Sequence, residues 1–355
     1  MVRSPIENAI AQRGELVHIV SHGPHCLDGV TAAVAVARFH AGAEIQPRFA
    51  NNPEIDQVLL AVPPPPPGRT QDLWITDISW SGAETERHLR ELAAAGTRIF
   101  WIDHHRTAIA RVQRGAIAVP FTEMVVKDTY AASRLVYEHL RARLERERAG
   151  QPDETHLEHG QIGSEAAARG RGDPGFLALE HLVMLADDND RWIHALPGSH
   201  ELALTVAAMR GTEAFRELLT IDADVAYTPL MREAQARVAA ELAESRALAE
   251  RTRSERRVGD VTVVAAWCAG YPSEIGAAWG RQMPNAVFAL YDTKTDGVSF
   301  RRSPASAIDL SRVAECLGGG GHAAAAGCQI PGIGERDATA LVAAVAAVVA
   351  QVGSA

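Results

Sequence analysis

Three short apolar runs, Leu16 to Ser21 (LVHIVS), Leu73 to Ile78 (LWITDI) and Arg98 to Asp103 (RIFWID), are separated by helix-forming stretches over Asp28 to His40 and Ala83 to Ala95. Short β-rich runs alternating with helices predict a parallel sheet wrapped by helices, because parallel neighbours need a crossover between them. Each run also carries an acid or a histidine at or just beyond its C-terminal end. Open α/β sheets gather their ligands at that edge. The fold class expected is therefore α/β, with the chemistry on one rim of the sheet.

The rest of the chain is read around that frame. Pro63 to Pro67 must be an extended surface loop, since proline cannot donate to a helix or a central strand. The polar stretch from Arg146 to Gly175 has no period and reads as an inserted loop or arm. Leu177 to Ala186 predicts a helix ending at Asp187, Asp188 and Asp190. From Glu201 to Arg257, Ala, Leu, Glu and Arg dominate at helical spacing. Val261 to Trp267, Ala286 to Tyr291 and Gly297 to Arg301 predict strands of a second α/β domain, closed by a helix over Asp337 to Val352. The expected organisation is a catalytic domain at 1–195, a helical connector at 196–257 and a smaller domain at 258–355.

Composition narrows the function. No apolar run approaches the roughly 20 residues that cross a bilayer, so a membrane enzyme is not expected. The first 19 residues show no secretory leader pattern, and the cytoplasm is the expected compartment. Four cysteines, Cys26, Cys268, Cys316 and Cys328, form no CxxC pair, which argues against a disulfide framework or a zinc knuckle. A net charge of -9 disfavours long nucleic acid, whose binding draws on many lysine and arginine contacts. A nucleic-acid substrate would have to be short.

Four segments carry the candidate chemistry: His22 to Gly29 with Cys26 and Asp28, then Asp77, then Asp103-His104-His105, then Asp187-Asp188-Asn189-Asp190. Singly, each is ordinary, because an Asp after a strand is more often a cap or a turn former. Together, hard oxygen donors mixed with imidazole suit divalent cations such as Mn²⁺ or Mg²⁺. A pair of such ions roughly 3.5–4 Å apart is a common device for cleaving phosphate esters.

Asp-His-His directly after an apolar strand, with an Asp-bearing strand before it and an Asp-Gly loop at the first strand, resembles the DHH phosphoesterases. Gly318 to His322, a run of four glycines and a histidine, with Gly327 beyond it, is similar to the GGGH motif of the associated DHHA1 domain. Ser299 to Ser303 matches the strand that precedes that motif. The resemblance spans nearly the whole chain and implies a two-domain enzyme with its active-site cleft between the domains. Its relatives include RecJ-like nucleases, oligoribonucleases and cyclic-dinucleotide phosphodiesterases.

Carried over residue by residue, the resemblance implies metal ligands at His22, Cys26, Asp28, Asp77, His104 and Asp190, with Asp77 bridging. Asp190 is preferred to its neighbours because it stands two residues before Trp192, as in related members. Asp103 would orient the imidazoles and His105 would face the scissile phosphate. Arg301 or Arg302, Gly319, Gly320, Gly321 and His322 would hold the substrate. One departure stands out: Cys26 occupies the place of the first acid in the usual His-x-x-x-Asp-x-Asp loop, with His25 beside it as an alternative donor. A thiolate there tilts an expected Mn²⁺ site toward Zn²⁺, Fe²⁺ or Co²⁺.

The expected function is hydrolysis of phosphate esters of nucleotides, cyclic dinucleotides or short oligonucleotides by metal-activated water, with a homodimer among the permitted assemblies. The alternatives are a non-catalytic nucleotide sensor with a degenerate metal site and, ranked below it, an inorganic pyrophosphatase. A processive exonuclease ranks low for want of a basic surface.

Overall fold

The computed structural model describes residues 14–149, 174–209 and 212–353. Residues 1–13 and most of the polar stretch expected at 146–175 lie outside the described residues. The chain divides into two units, Met1–Gln235 and Ala236–Ala355.

In the first unit, β1 (Leu16–His22), α1 (Leu27–Phe39), β2 (Glu44–Ala50), α2 (Ile55–Leu60), β3 (Gln71–Thr76), α3 (Ala83–Ala94), β4 (Thr97–Asp103), α4 (Arg106–Gln113), β5 (Glu123–Val126) and α5 (Ala132–Arg148) follow in order. The five strands are parallel in the order β2-β1-β3-β4-β5. Because the chain leaves β1 toward β2 and returns on its other side as β3, the order reverses at β1 and β3. That switch point opens a crevice at the strands' C-terminal ends. β1, β3 and β4 are buried almost throughout, which is why their sequences read as near-continuous apolar runs. Trp74 stacks on Phe100 at 4.2 Å between ring centres, tying β3 to β4.

α6 (Pro174–Leu177), α7 (Glu180–Asp190), α8 (Ser199–Ala207) and α9 (Glu213–Leu218) complete the helical layer over one sheet face. With α1 and α5 they share a core that includes Val17, Ile19, Val34, Leu140, Leu182 and Val206. α2, α3 and α4 cover the opposite face, over Val20, Leu73, Ile75 and Trp101. α10 (Pro229–Thr252) follows, and the division between units falls inside it. Residues of the segment expected as a connector, among them Leu202, Phe215, Leu218 and Met231, thus belong to the first unit's core. Two further differences concern boundaries. α5 runs through Arg148, past the point where the polar stretch was expected to begin, and α7 contains the three acids instead of ending before them.

The second unit holds β6 (Ser254–Val258), β7 (Val261–Cys268), α11 (Pro272–Gln282), β8 (Ala286–Asp292), β9 (Gly297–Arg302), α12 (Leu310–Cys316), β10 (Gly320–His322), β11 (Ala325–Cys328) and α13 (Ala338–Val352). Its mixed sheet has the order β10-β11-β9-β8-β7-β6, with only β7 and β8 parallel. α12 and α13 pack on one face through Val263, Val287, Phe300, Leu341 and Val345, and α11 packs on the other through Ile275 and Trp279.

Candidate metal centre

The ends of β1, β3 and β4 bring three of the four segments together at the switch point. His22 is the last residue of β1, Asp103 the last of β4, and Asp77 follows β3 directly. Asp77 has φ +59°, a left-handed conformation unusual outside glycine, although its amide still donates to Ile102 O at 3.0 Å. The chain leaves the strand abruptly there, and the carboxylate turns into the crevice. Below it, Ser21 Oγ donates to Gly29 O at 2.7 Å, while Thr76 Oγ1 donates to Ser21 Oγ at 2.8 Å. These bonds fasten β1, β3 and the first turn of α1 to one another.

Asp77 lies at the junction of two donor groups. Its Oδ2 is 3.4 Å from His22 Nδ1 and 3.6 Å from Cys26 Sγ. Its Oδ1 is 3.2 Å from His104 Nε2, which is in turn 3.8 Å from Asp28 Oδ2 and 3.5 Å from Asp190 Oδ2. His22, Cys26 and Asp77 form one set of donors that could surround a cation, and Asp28, His104 and Asp190 form another. Asp77 Oδ1 and His104 Nε2 are buried and, apart from their mutual 3.2 Å approach, have no hydrogen-bond partner. Buried polar atoms without partners are rare and costly. Here they face a cluster of carboxylates, as atoms reserved for cations would.

The electrostatics agree. Burial works against charge on Asp77, yet the His104 and His22 imidazoles outweigh it and hold the carboxylate at about 2. Burial, then Asp77 and Asp190, push Asp28 well above the ordinary carboxylate range. Asp190 is raised by burial and by Asp77. Burial also opposes charge on His104, but Asp77, Asp28 and Asp190 carry it up to about 9. Burial and the neighbouring acids likewise push the Cys26 thiol well up. Three carboxylates packed this closely call for positive charge, which in the protein alone only protons supply.

The structure separates the three acids of α7. Asp187 Oδ1 accepts from Ala131 N at 2.7 Å, and its Oδ2 meets Arg134 at 3.1 Å. Asp188 accepts from Ala195 N, Leu196 N and Ser199 Oγ. Both are committed to backbone and loop, and Asp190 is the one that reaches His104. Asp28 takes the amides of Ala132 and Ser133, both at 2.9 Å, so the N-terminus of α5 holds its carboxylate in place. Asp103 Oδ1 accepts from the amides of His104 and His105 and lies 2.7 Å from His105 Nδ1. That contact puts the proton on Nδ1 and leaves Nε2 of the half-exposed His105 available. Asp103 raises the imidazole's pKa through the same contact. His25, the alternative donor in the first loop, has Nδ1 2.9 Å from Ala207 O and joins neither donor group.

Sequence reasoning gave Gly29 no role of its own. A Cβ there would run into the His22 carbonyl oxygen and come within 3.0 Å of Asp77 Oδ2. Only glycine lets α1 start this close to the end of β1, and the Asp-Gly pair was its signal.

In the second unit, His322 on β10 is opposite Ala325 on β11, which is opposite Arg301 on β9. Opposed residues share a sheet face, so Arg301 and His322 flank a small alanine on one face, about 10 Å apart at two strand spacings. Arg301 donates to Ser273 Oγ at the start of α11. Arg302 points to the other face, where its Nη1 donates to the carbonyls of Ser306 and Ile308. The glycine run is not uniform. A Cβ on Gly319 would press into Gly327 and Cys328, and one on Gly321 into Ala325 and Ala326, where φ is +142° besides. Gly320 faces open space. We expect Gly319→Ala and Gly321→Ala to cost roughly 1–3 kcal/mol in urea unfolding, as overpacking does, and Gly320→Ala to leave the midpoint unchanged.

The DHHA1 domain description matches residues 272–351 of the chain. No curated protein matches it significantly. Among solved structures, the chain is similar to the pGpG-specific phosphodiesterase PggH from Vibrio cholerae, with TM-score 0.44, 16% identity, and coverage of 94% of this chain and 99% of that one. It is similar to RecJ in complex with Mn²⁺ from Thermus thermophilus, with TM-score 0.49 and 20% identity, over 98% of this chain and 53% of RecJ, about half of that chain's length. It is also similar to an exopolyphosphatase-related protein from Bacteroides fragilis, with TM-score 0.46, 12% identity, and coverage of 98% and 96%.

The second unit therefore carries a DHHA1 domain, and the first carries Asp103-His104-His105 at the switch point of a parallel sheet. The match to a known family is to this DHHA1 domain, over residues 272–351.

Proposed function

We propose that the chain hydrolyses phosphate esters of nucleotides, cyclic dinucleotides or oligonucleotides a few residues long, using two divalent cations. The observation that carries this reading is the position of Asp77, whose two oxygens each touch a different three-donor group. In this reading His22 and Cys26 hold one cation, Asp28, His104 and Asp190 hold the other, and Asp77 contacts both. Such cations supply charge neutralisation at a phosphoryl group and acidify bound water.

The remaining work belongs to side chains. His105, with Nδ1–H donated to Asp103, presents Nε2 as a donor toward a phosphoryl oxygen in its imidazolium form, which Asp103 favours. Asp103 keeps both imidazoles of the His-His pair in register through the amides it accepts. The row formed by Arg301 and His322 offers a guanidinium and an imidazole to a phosphate or sugar. The thiol of Cys26 favours Zn²⁺, Fe²⁺ or Co²⁺ at its own position more than an all-oxygen loop would, whereas the Asp28 group suits Mn²⁺. The net charge of -9 favours short substrates over long ones.

The test is a panel of dinucleotides, cyclic dinucleotides, short RNAs, 3′-phosphonucleotides and pyrophosphate, assayed with Mn²⁺, Co²⁺ and Zn²⁺. The expected result is turnover of a short nucleotide that chelator abolishes and metal restores. Binding without turnover under every metal would turn the reading into that of a nucleotide sensor. Preferential turnover of pyrophosphate would replace it with a pyrophosphatase.

A further inference from the structure

Trp192 and Ile193 are 56% and 51% exposed, the most exposed large apolar side chains among the described residues. They do not belong to a loose loop. Trp192 has φ +55° and His194 φ +51°, conformations in which bulky side chains are seldom found and which persist only where the surroundings enforce them. The enforcing group is Asp188. Its backbone carbonyl accepts from Ile193 N at 2.9 Å, and its carboxylate accepts from Ala195 N, Leu196 N and Ser199 Oγ. The indole is further braced by imidazoles, with ring centres 4.3 Å away in His194 and 5.7 Å away in His200. A strained, hydrogen-bonded loop thus holds a flat aromatic face out in solvent. Burial cannot be its purpose.

The loop's position gives it one. Trp192 follows Asp190 by two residues, so their Cα atoms are at most roughly 7 Å apart, and Asp190 belongs to the Asp28-His104 donor group. We propose that Trp192 is a stacking platform for a nucleobase of the substrate, with His194 and His200 bracing the ring. The inference rests on the nucleotide-hydrolase reading above and adds to it the part of the substrate that is recognised. Aromatic stacking is tolerant of base identity, since every base has a π-face, so the platform would select for a base and not for a particular one.

Two measurements test it. The first is the preference of the Mn²⁺-loaded protein for the dinucleotide pApA over its abasic analogue, as a ratio of kcat/KM. Trp192→Ala should reduce that ratio about tenfold, mainly through KM for pApA, and Trp192→Phe should restore most of it. An unchanged ratio, or equal loss on both substrates, overturns the proposal. The second needs no turnover. Trp192 is the one exposed tryptophan of six, so AMP titrated into the protein should quench a fluorescence component that Trp192→Phe removes. If the wild type hydrolyses none of the phosphate esters tested but AMP still quenches Trp192, the catalytic reading fails and the stacking site stands. If hydrolysis occurs without quenching or a change in preference, the stacking site fails alone. A Trp192→Ala protein that changes its oligomeric state and keeps its base preference assigns the patch to contacts between copies and overturns the proposal.

Discussion

Asp77→Asn should abolish phosphoester hydrolysis while leaving the protein folded. Each Asp77 oxygen touches a different donor group, so the amide weakens both at once. Loss of an outer partner of a metal ligand alone costs about 10- to 100-fold, and loss of the shared ligand should exceed the upper end of that range in kcat/KM. Metal analysis should fall from two ions per chain toward one or none. The fold should survive for two reasons. Asparagine is nearly isosteric, and it is one of the few residues that tolerate the φ of +59° found at this position. Circular dichroism and the urea midpoint of the metal-free variant should match those of the metal-free parent. Retained hydrolysis in a folded Asp77→Asn protein would remove the shared-ligand arrangement and the two-cation reading with it.

Asp77 also shows which features the sequence made legible. It closes an apolar run that could only be a buried strand, and period and position were enough to place it, His22 and Asp103 on the same rim. The parallel class followed from the same alternation, because β1, β3 and β4 are covered on both faces and are written almost wholly in apolar letters. Strands at or near sheet edges lacked that signal. β2 (EIQPRFA) mixes polar residues with Pro47, β5 has four residues, and β10 and β11 are built of Gly, Ala, His and Cys, none of them typical strand formers. Helical spacing did not separate the acids on α7, and only the resemblance, through Asp190 standing two residues before Trp192, preferred one of them. Asp187 and Asp188 differ from Asp190 only in what comes to meet them, namely the Ala131 amide and Arg134 in one case and the 195–199 loop in the other. Those partners come from other elements or from beyond the helix, and helical spacing does not reveal them. Similarly, Arg301 and Arg302 were interchangeable as letters, and strand alternation in a sheet with two covered faces separates them.

The second large effect is expected at Gly29, where sequence showed a glycine and the structure shows why. Its added Cβ would overlap the His22 carbonyl oxygen, lie 2.9 Å from the carbonyl carbon and approach Asp77 Oδ2 to 3.0 Å. Relief by rotamer change is not available, because the collision is with backbone. Relief by moving the backbone is opposed from three sides. Ser21 Oγ holds the Gly29 carbonyl, Thr76 holds Ser21, and the α5 amides hold the adjoining Asp28. Gly29→Ala should therefore cost about 3 kcal/mol, the upper end of the range for overpacking, read as a lowered urea midpoint with unchanged slope. Activity should suffer beyond what stability explains. Any displacement that accommodates the methyl group parts His22 from Asp77, so metal content and hydrolysis should fall even at temperatures where the variant is fully folded. Gly42→Ala is the comparison, since a Cβ at Gly42 meets nothing within 4 Å and this glycine lies far along the chain from every donor. Its φ of +94° lets it report backbone strain alone, so it should lose stability and keep its metal. If Gly29→Ala loses stability but binds metal and turns over as the parent does, the tight start of α1 serves only packing, and the spacing of His22 and Asp77 is set elsewhere.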